Sequence, residues 1–311
     1  MRALVTGASG FVGRYLTAAL RETGDEVLTA GTQRDGKDFV PIDLADQPSL
    51  LSAIDLAQPD VIYHLAAQTF VPDSLEAPNA TYDANILGTA RLLQAVRDWR
   101  DRSGKNPRIL FTSSAEVYGR REPSEFPLLE SLDTRPANPY AASKAAAESI
   151  ALAEARSYGM DVIVTRAFNH IGPGQSDQFV VASFAAQLAK IVAGEKPLLY
   201  VGNLQAQRDF LDVRDVVTAY VALAKDARSG EVYNVCSGTV ISISEILRQL
   251  ITAARVAVEV REDATRMRPA DVPVFYGSNQ KLRELTGWSP KVPLARSLRE
   301  IYEAARNKAA S

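Results

Sequence analysis

Along the first half of the chain, short apolar runs alternate with longer segments whose apolar positions recur at helical spacing. The short runs, at 2–6, 26–30, 61–66, 108–113 and 161–167, show little polar alternation, the pattern of strands covered on both faces. The longer segments, 11–22, 46–57, 84–100 and 141–158, have the period of helices with one face buried. Strand and helix taking turns in this way predict an α/β fold built on a doubly wound parallel sheet.

Beyond about residue 170 the alternation breaks up. Gly172-Pro173-Gly174 and the stretch from Gly194 to Pro197 interrupt it. Helical period returns at 213–225, with Asp212 as the expected cap, and again at 244–253 and 294–305, while 231–235 reads as a strand. The expected division is a sheet domain over 1–165, rejoined by segments near 208–235, and a smaller C-terminal lobe drawn mainly from 166–311.

The composition, 46% hydrophobic and 23% charged, is that of an ordinary globular chain and excludes a disordered or fibrous reading. The net charge of -2 comes without a long basic run, so neither nucleic acid nor a membrane surface is expected as a partner. No stretch approaches the roughly 20 apolar residues of a membrane span. Residues 1–6 enter a strand without the basic and apolar regions of an export signal. The single cysteine, Cys236, has no partner for an internal disulfide and reads as a core residue. A cytoplasmic protein is the expectation. No His, Cys and carboxylate cluster has metal-ligand spacing, so no metal is expected; Asp212 and Asp215 read as helix-capping residues.

Chemistry enters with the turn Thr6-Gly7-Ala8-Ser9-Gly10-Phe11-Val12-Gly13, between the first strand and the first helix. Gly7 permits a tight turn, Gly10 lets backbone approach a pyrophosphate, and Gly13 lets helix and strand pack closely. The amides at Phe11 and Val12 and the positive end of the helix then face the phosphates. The sheet is therefore expected to be Rossmann-type, with 1–165 binding a dinucleotide and the lobe binding substrate. After the second strand, a carboxylate would bind a ribose 2′-hydroxyl and repel a 2′-phosphate. Gly31 and Thr32 stand there instead, with Arg34 close behind and the nearest carboxylate, Asp35, further along. That favours NADPH, with NADH as the alternative. Asp43-Leu44 follows the third strand and is expected near the adenine, although a local turn bond would also explain Asp43.

Tyr140 and Lys144 are four apart at the start of a helix and so share a face. A tyrosine is a poor acid or base at neutral pH unless its phenolate is stabilised, which a nearby ammonium would do. Ser114 closes a strand at the carboxyl edge of the sheet, where ligands of such sheets bind. It is placed to hydrogen-bond the oxygen that Tyr140 protonates. His64, also at a strand end, reads as a packed histidine.

With these residues placed, the chain resembles the extended short-chain dehydrogenase/reductase family over nearly its whole length. The matching pieces are the glycine turn, Asp43-Leu44, His64-Leu65-Ala66-Ala67-Gln68, Asn85-Ile86-Leu87-Gly88-Thr89, Ser114, Tyr140 with Lys144, and Arg166 followed by Phe168-Asn169-His170. Within the family it is most similar to the GDP-4-keto-6-deoxy-D-mannose reductases. That likeness rests on the run from Phe168 to Gln175, Val201-Gly202-Asn203-Leu204, Arg208-Asp209-Phe210, Arg268-Pro269-Ala270-Asp271 and Gly287-Trp288-Ser289-Pro290. The resemblance implies a 4-ketoreductase making GDP-D-rhamnose. It puts Leu65, Ala66, Ala67, Gln68, Phe168 and His170 along the cofactor, and Asn169, Arg208, Arg268 and Asp271 on the GDP-sugar. Arginines suit a diphosphate because their planar donors bind it through several bonds at once. Lys144 would hold the nicotinamide ribose and lower the tyrosine pKa.

Glu116 keeps an alternative alive. In related 4,6-dehydratases a glutamate at this place removes the sugar C5 proton, which leaves GDP-mannose 4,6-dehydratase or an epimerase as the second reading. Against it, the GDP-mannose dehydratases resemble one another in a TGQDG-like turn where this chain has Ser9-Gly10-Phe11-Val12-Gly13, and Ala115 supplies no acid for loss of water. A non-catalytic dinucleotide-binding regulator is the third reading; an intact Tyr140 and Lys144 speak against it. The small residues from Ala141 to Ala155 would let another helix approach closely. By resemblance, this helix and 84–100 are expected to form a four-helix bundle in a homodimer.

Overall fold

Period-two burial in the strands decides the architecture. In the computed structural model, which describes residues 1–32, 37–266 and 272–310, Leu4, Ile62, Ile109, Phe111, Val162 and Val164 fall in one core. The residues between them, Val5, Tyr63, Leu110 and Ile163, fall in another. Side chains alternate across a strand, so each strand needs a helical layer on both sides.

The strands are β1 (Arg2–Thr6), β2 (Glu26–Gly31), β3 (Phe39–Pro41), β4 (Val61–His64), β5 (Arg108–Ser114), β6 (Val162–Ala167) and β7 (Val232–Val235). All pair in parallel, in the order β7-β6-β5-β4-β1-β2-β3. Helices α1 (Phe11–Glu22), α2 (Gln47–Ala57), α3 (Gly88–Ser103) and α4 (Pro139–Tyr158) cross between strands. Leu50 and Ile54 of α2, Leu92 and Val96 of α3, and Ala147 and Ala151 of α4 pack on one face. The other face is covered by Leu16 and Leu20 of α1 and by a helix from the second half of the chain, Val213–Asp226, through Val216, Tyr220 and Leu223. Strand order reverses between β1 and β4, where Thr6 pairs with His64. A crevice opens beyond the carboxyl ends of strands at such a reversal.

The remaining residues build a separate core. Helices Val180–Val192, Ile243–Ala254 and Leu294–Ala310 bury Phe184, Leu188, Ile246, Leu250, Leu298 and Tyr302 together. Strands of two to four residues border this core: 198–201 pairs with 259–262, and 207–208 lies between 241–242 and 274–275. The pair 169–171 and 210–212 bridges toward the sheet.

Two elements differ from expectation. The predicted helix at 84–100 is interrupted at its start by a π-helical turn, Asp83–Leu87, before α3 begins at Gly88. Such a turn carries an extra residue. The helix Val180–Val192 was not foreseen, because β-branched pairs at both ends mask its period. Among the described residues no helix is long and apolar enough to cross a membrane.

Candidate active site

The glycine turn fills the space the sequence reserved for it. Gly7 has φ +71°, and a Cβ there would stand 2.8 Å from the Ala66 nitrogen. A Cβ on Gly13 would stand 2.3 Å from the Gly7 oxygen. Neither position admits a side chain. Gly10 is the N-cap of α1 and supplies no side-chain cap, so no side-chain oxygen competes for the first-turn amides, including those of Phe11 and Val12. This cradle fits a dinucleotide pyrophosphate.

Around the cradle the expected cofactor residues are distributed as follows. Thr32 is exposed just past β2, while Arg34 lies outside the described residues. Asp43 makes the local turn bond, its Oδ1 accepting from the Ala45 amide at 2.8 Å. Leu44 packs against Gly88, where a Cβ would lie 3.0 Å from its own. Leu65, Ala66, Ala67 and Gln68 are partly buried and continue from β4. Gln68 is clamped by Asn85, which accepts from its amide at 2.8 Å and donates to its carbonyl at 2.9 Å. His170 stacks on Phe11 with ring centroids 6.1 Å apart. The Phe168 ring is buried against Tyr118 and Phe275, so only its backbone is available to a ligand.

The three candidate catalytic residues, Ser114, Tyr140 and Lys144, meet at the carboxyl end of β5. Asn138 caps α4, accepting from the Ala141 amide at 2.8 Å, and this places Tyr140 and Lys144 one turn apart with both side chains buried. Burial pushes the Tyr140 phenol up to about 12; a hydrogen bond with Ser114 pulls it down, and the Glu116 carboxylate adds to the rise. Burial also brings Lys144 down to about 8, and its Nζ donates to the Thr112 carbonyl at 2.8 Å. Besides burial, Ser114 and Glu116 act on Tyr140, and the Lys144 ammonium also acts on His64. Glu116 is half-buried, with Asn138 Nδ2 3.4 Å from its Oε2.

The backbone of Tyr140 is fixed at both ends. Its amide donates to Ser74 Oγ at 3.2 Å, and its carbonyl accepts from Ser143 Oγ at 2.7 Å. Ser143 in turn accepts from Asn85 Nδ2 at 2.9 Å. Sequence reasoning did not place Asn85, Ser143 or Thr112 in the site. Of these, only Asn85 carried a signal, as part of a quoted motif without evident chemistry.

Of the residues expected on the substrate, Asn169 is exposed and donates to the Asp209 carbonyl at 3.2 Å. Arg208 Nη1 donates to the Gln207 carbonyl at 2.8 Å. Asp209, quoted in a motif but given no role by the sequence, is fully buried and accepts from the amides of Ser237 and Gly238 at 2.8 and 2.9 Å. It fixes the segment that carries Arg208. Arg268 and Asp271 lie outside the described residues. Asp212 caps its helix, accepting from the Arg214 amide. Asp215 instead accepts from the amides of Lys291 and Val292, tying down the approach to the last helix. No group of His, Cys and carboxylates among the described residues could hold a metal ion. Cys236 is buried, and burial pushes its thiol up.

Residues 4–301 match the family described as GDP-mannose 4,6 dehydratase. The chain is 41% identical to GDP-6-deoxy-D-mannose reductase of Pseudomonas aeruginosa, over 96% of this chain and 95% of that one. It is 32% identical to GDP-mannose 4,6 dehydratase 1 of Arabidopsis thaliana, over 93% of this chain and 85% of the relative. Among solved structures, RMD from Pseudomonas aeruginosa complexed with NADPH superimposes with TM-score 0.89 at 38% identity, covering 99% of this chain and 100% of that one. Thermus thermophilus UDP-glucose 4-epimerase in complex with NAD follows with TM-score 0.86 at 31% identity, covering 98% and 99%.

Proposed function

The chain belongs to the GDP-mannose 4,6 dehydratase family, within the extended short-chain dehydrogenase/reductases, and we propose that it reduces the 4-keto group of GDP-4-keto-6-deoxy-D-mannose with NADPH to give GDP-D-rhamnose. One observation carries the reading. Tyr140 is buried with a hydrogen bond to Ser114 and stands one turn before the buried Lys144, a proton-bearing phenol beside a hydroxyl at the carboxyl edge of the sheet.

NADPH, when bound, supplies the hydride that the keto carbon takes up. The amides following Gly10 would hold its pyrophosphate, Thr32 and Arg34 its 2′-phosphate, and Lys144 its nicotinamide ribose. Ser114 orients the carbonyl and Tyr140 passes its proton to the oxygen as negative charge develops there. Asn169, Arg208, Arg268 and Asp271 bind the GDP-sugar from the lobe, which is thus the substrate-binding part of the 166–311 segment. The 41% identity to a GDP-6-deoxy-D-mannose reductase supports this substrate. A cytoplasmic setting suits the lone thiol of Cys236.

Glu116 supports a second activity. It acts electrostatically on Tyr140, and a carboxylate there would take the C5 proton in a dehydration or epimerisation. The homodimer also belongs to this reading. On α4, Ala145, Ala146 and Ile150 are only partly buried, and Leu87 beside α3 is 45% exposed, which leaves faces suited to a four-helix bundle. Sedimentation of a single-chain particle would overturn the dimer.

The deciding experiment mixes purified protein, NADPH and GDP-4-keto-6-deoxy-D-mannose, then follows nicotinamide absorbance and identifies the sugar. Oxidation with GDP-D-rhamnose formed upholds the reading. No oxidation, together with a keto product from GDP-mannose and NADP⁺, would replace it with dehydration through Glu116.

A further inference from the structure

His64 ends β4 and is 2% exposed, yet both ring nitrogens are engaged. Nδ1 lies 2.8 Å from Thr6 Oγ1, and Nε2 lies 3.1 Å from Thr89 Oγ1. The direction of these bonds can be worked out. Thr89 spends its one hydroxyl proton on the Asn85 carbonyl at 2.7 Å, so toward His64 it can only accept. The ring proton therefore sits on Nε2. In a neutral ring Nδ1 then accepts, and Thr6 donates to it. Burial, with the Lys144 ammonium nearby, keeps the ring neutral.

The result is a one-way chain: Thr6 hydroxyl to His64, His64 to Thr89, Thr89 to the carbonyl of Asn85. Its first residue precedes Gly7, and Thr6 Oγ1 also accepts from the Ala66 amide at 3.3 Å, the nitrogen that crowds Gly7. Its last residue lies in the π-helical turn, and the side chain of Asn85 continues through Ser143 to the Tyr140 carbonyl.

We propose that His64 is a positioning residue for the catalytic helix, locking the π-helical turn to the end of β1 so that Asn85 and Ser143 hold Tyr140 in place. It touches neither substrate nor cofactor. The kinetic arm of its test rests on the proposed reduction; the exchange arm does not.

Three substitutions separate the bonds from the packing. His64→Phe keeps an aromatic ring but offers no donor. His64→Gln restores a donor near Nε2, and Thr89→Val breaks the next link with little change of volume. A loosened reacting group costs up to about 100-fold in rate, so His64→Phe and Thr89→Val should each lower kcat about 10- to 100-fold. KM for the sugar nucleotide and NADPH affinity should stay within about threefold. The double variant should be no worse than His64→Phe, because one chain is broken once, and His64→Gln should recover most of the rate. By hydrogen exchange without substrate, amides 85–90 and 140–144 should open faster in His64→Phe. Wild-type turnover in His64→Phe, additive losses in the double variant, or unchanged exchange would each overturn the proposal. If His64→Phe fails to fold, Thr89→Val decides by the same readouts. If wild-type protein does not oxidise NADPH with the keto sugar, the reduction falls and exchange alone decides the role of His64.

Discussion

Lys144 is a buried ammonium that donates to the Thr112 carbonyl, and burying it costs the fold stability. Its pKa falls from the ordinary 10.5 to about 8 through burial. At 1.36 kcal/mol per unit, the free protein is destabilised by about 3 kcal/mol at pH 7, where Lys144 is charged both folded and unfolded. The sign follows from proton counting. Between pH 8 and 10.5 the unfolded chain binds more protons at this site than the folded one, so stability rises with pH there. By pH 10 the penalty has shrunk to about 1 kcal/mol. Lys144→Met removes the charge and keeps most of the length, but leaves the Thr112 carbonyl without its donor, a loss of about 1–3 kcal/mol. Net stability at pH 7 should therefore change little or rise slightly. The discriminating quantity is the difference between wild type and variant measured at both pH values. Relative to wild type, Lys144→Met should be about 2 kcal/mol better at pH 7 than at pH 10, since other titrating groups cancel. Urea denaturation at the two pH values measures it. A difference that does not change with pH would refute the reasoning, because it would mean the ammonium is solvated in the free protein.

Other substitutions test neighbouring parts. Tyr140→Phe should lower kcat for reduction about 100- to 10,000-fold while NADPH binding, followed by nicotinamide fluorescence, stays within a few-fold; equal losses in both would mean the ring shapes the cofactor site. Gly13→Ala puts a Cβ 2.3 Å from the Gly7 oxygen and should weaken NADPH binding about tenfold or more, equivalent to ~1.4 kcal/mol, in the same titration. Glu148 accepts from Arg166 at 2.5 Å with both side chains buried. Glu148→Gln strands that guanidinium and should cost about 3–5 kcal/mol, read as a lower denaturation midpoint.

How much of this was legible in the sequence depends on how far apart the deciding contacts lie. The glycine turn and the Tyr140–Lys144 pair are each written within a few consecutive residues, where spacing alone fixes who faces whom. The strands of the sheet are also local signals, since buried runs such as 108–114 state their own period. The lobe is different. Its strands 207–208, 241–242 and 274–275 are two residues each, too short to show a period, and they exist because segments far apart in the chain meet. The surroundings of Lys144 were hidden for a related reason. Spacing puts it near Tyr140, but only the packed structure shows its ammonium turned to Thr112 and felt by His64.

The same distinction explains why a histidine that read as packing turns out to be a link. Nothing beside His64 in the sequence predicts its partners: Thr6 is 58 residues before it and Thr89 is 25 after. Fully buried polar groups must find partners or forfeit about 1–3 kcal/mol each, so a histidine at the inner end of a central strand demands such contacts wherever the chain brings them. The π-helical turn answers the demand by carrying Asn85 back to Gln68 and Ser143, while its next turn offers Thr89 to the ring. A regular helix begun at residue 84 would put Asn85 and Thr89 in a different phase, and both bonds depend on that phase. The irregular turn and the neutral histidine therefore account for each other, and the helix bearing Tyr140 is anchored to both.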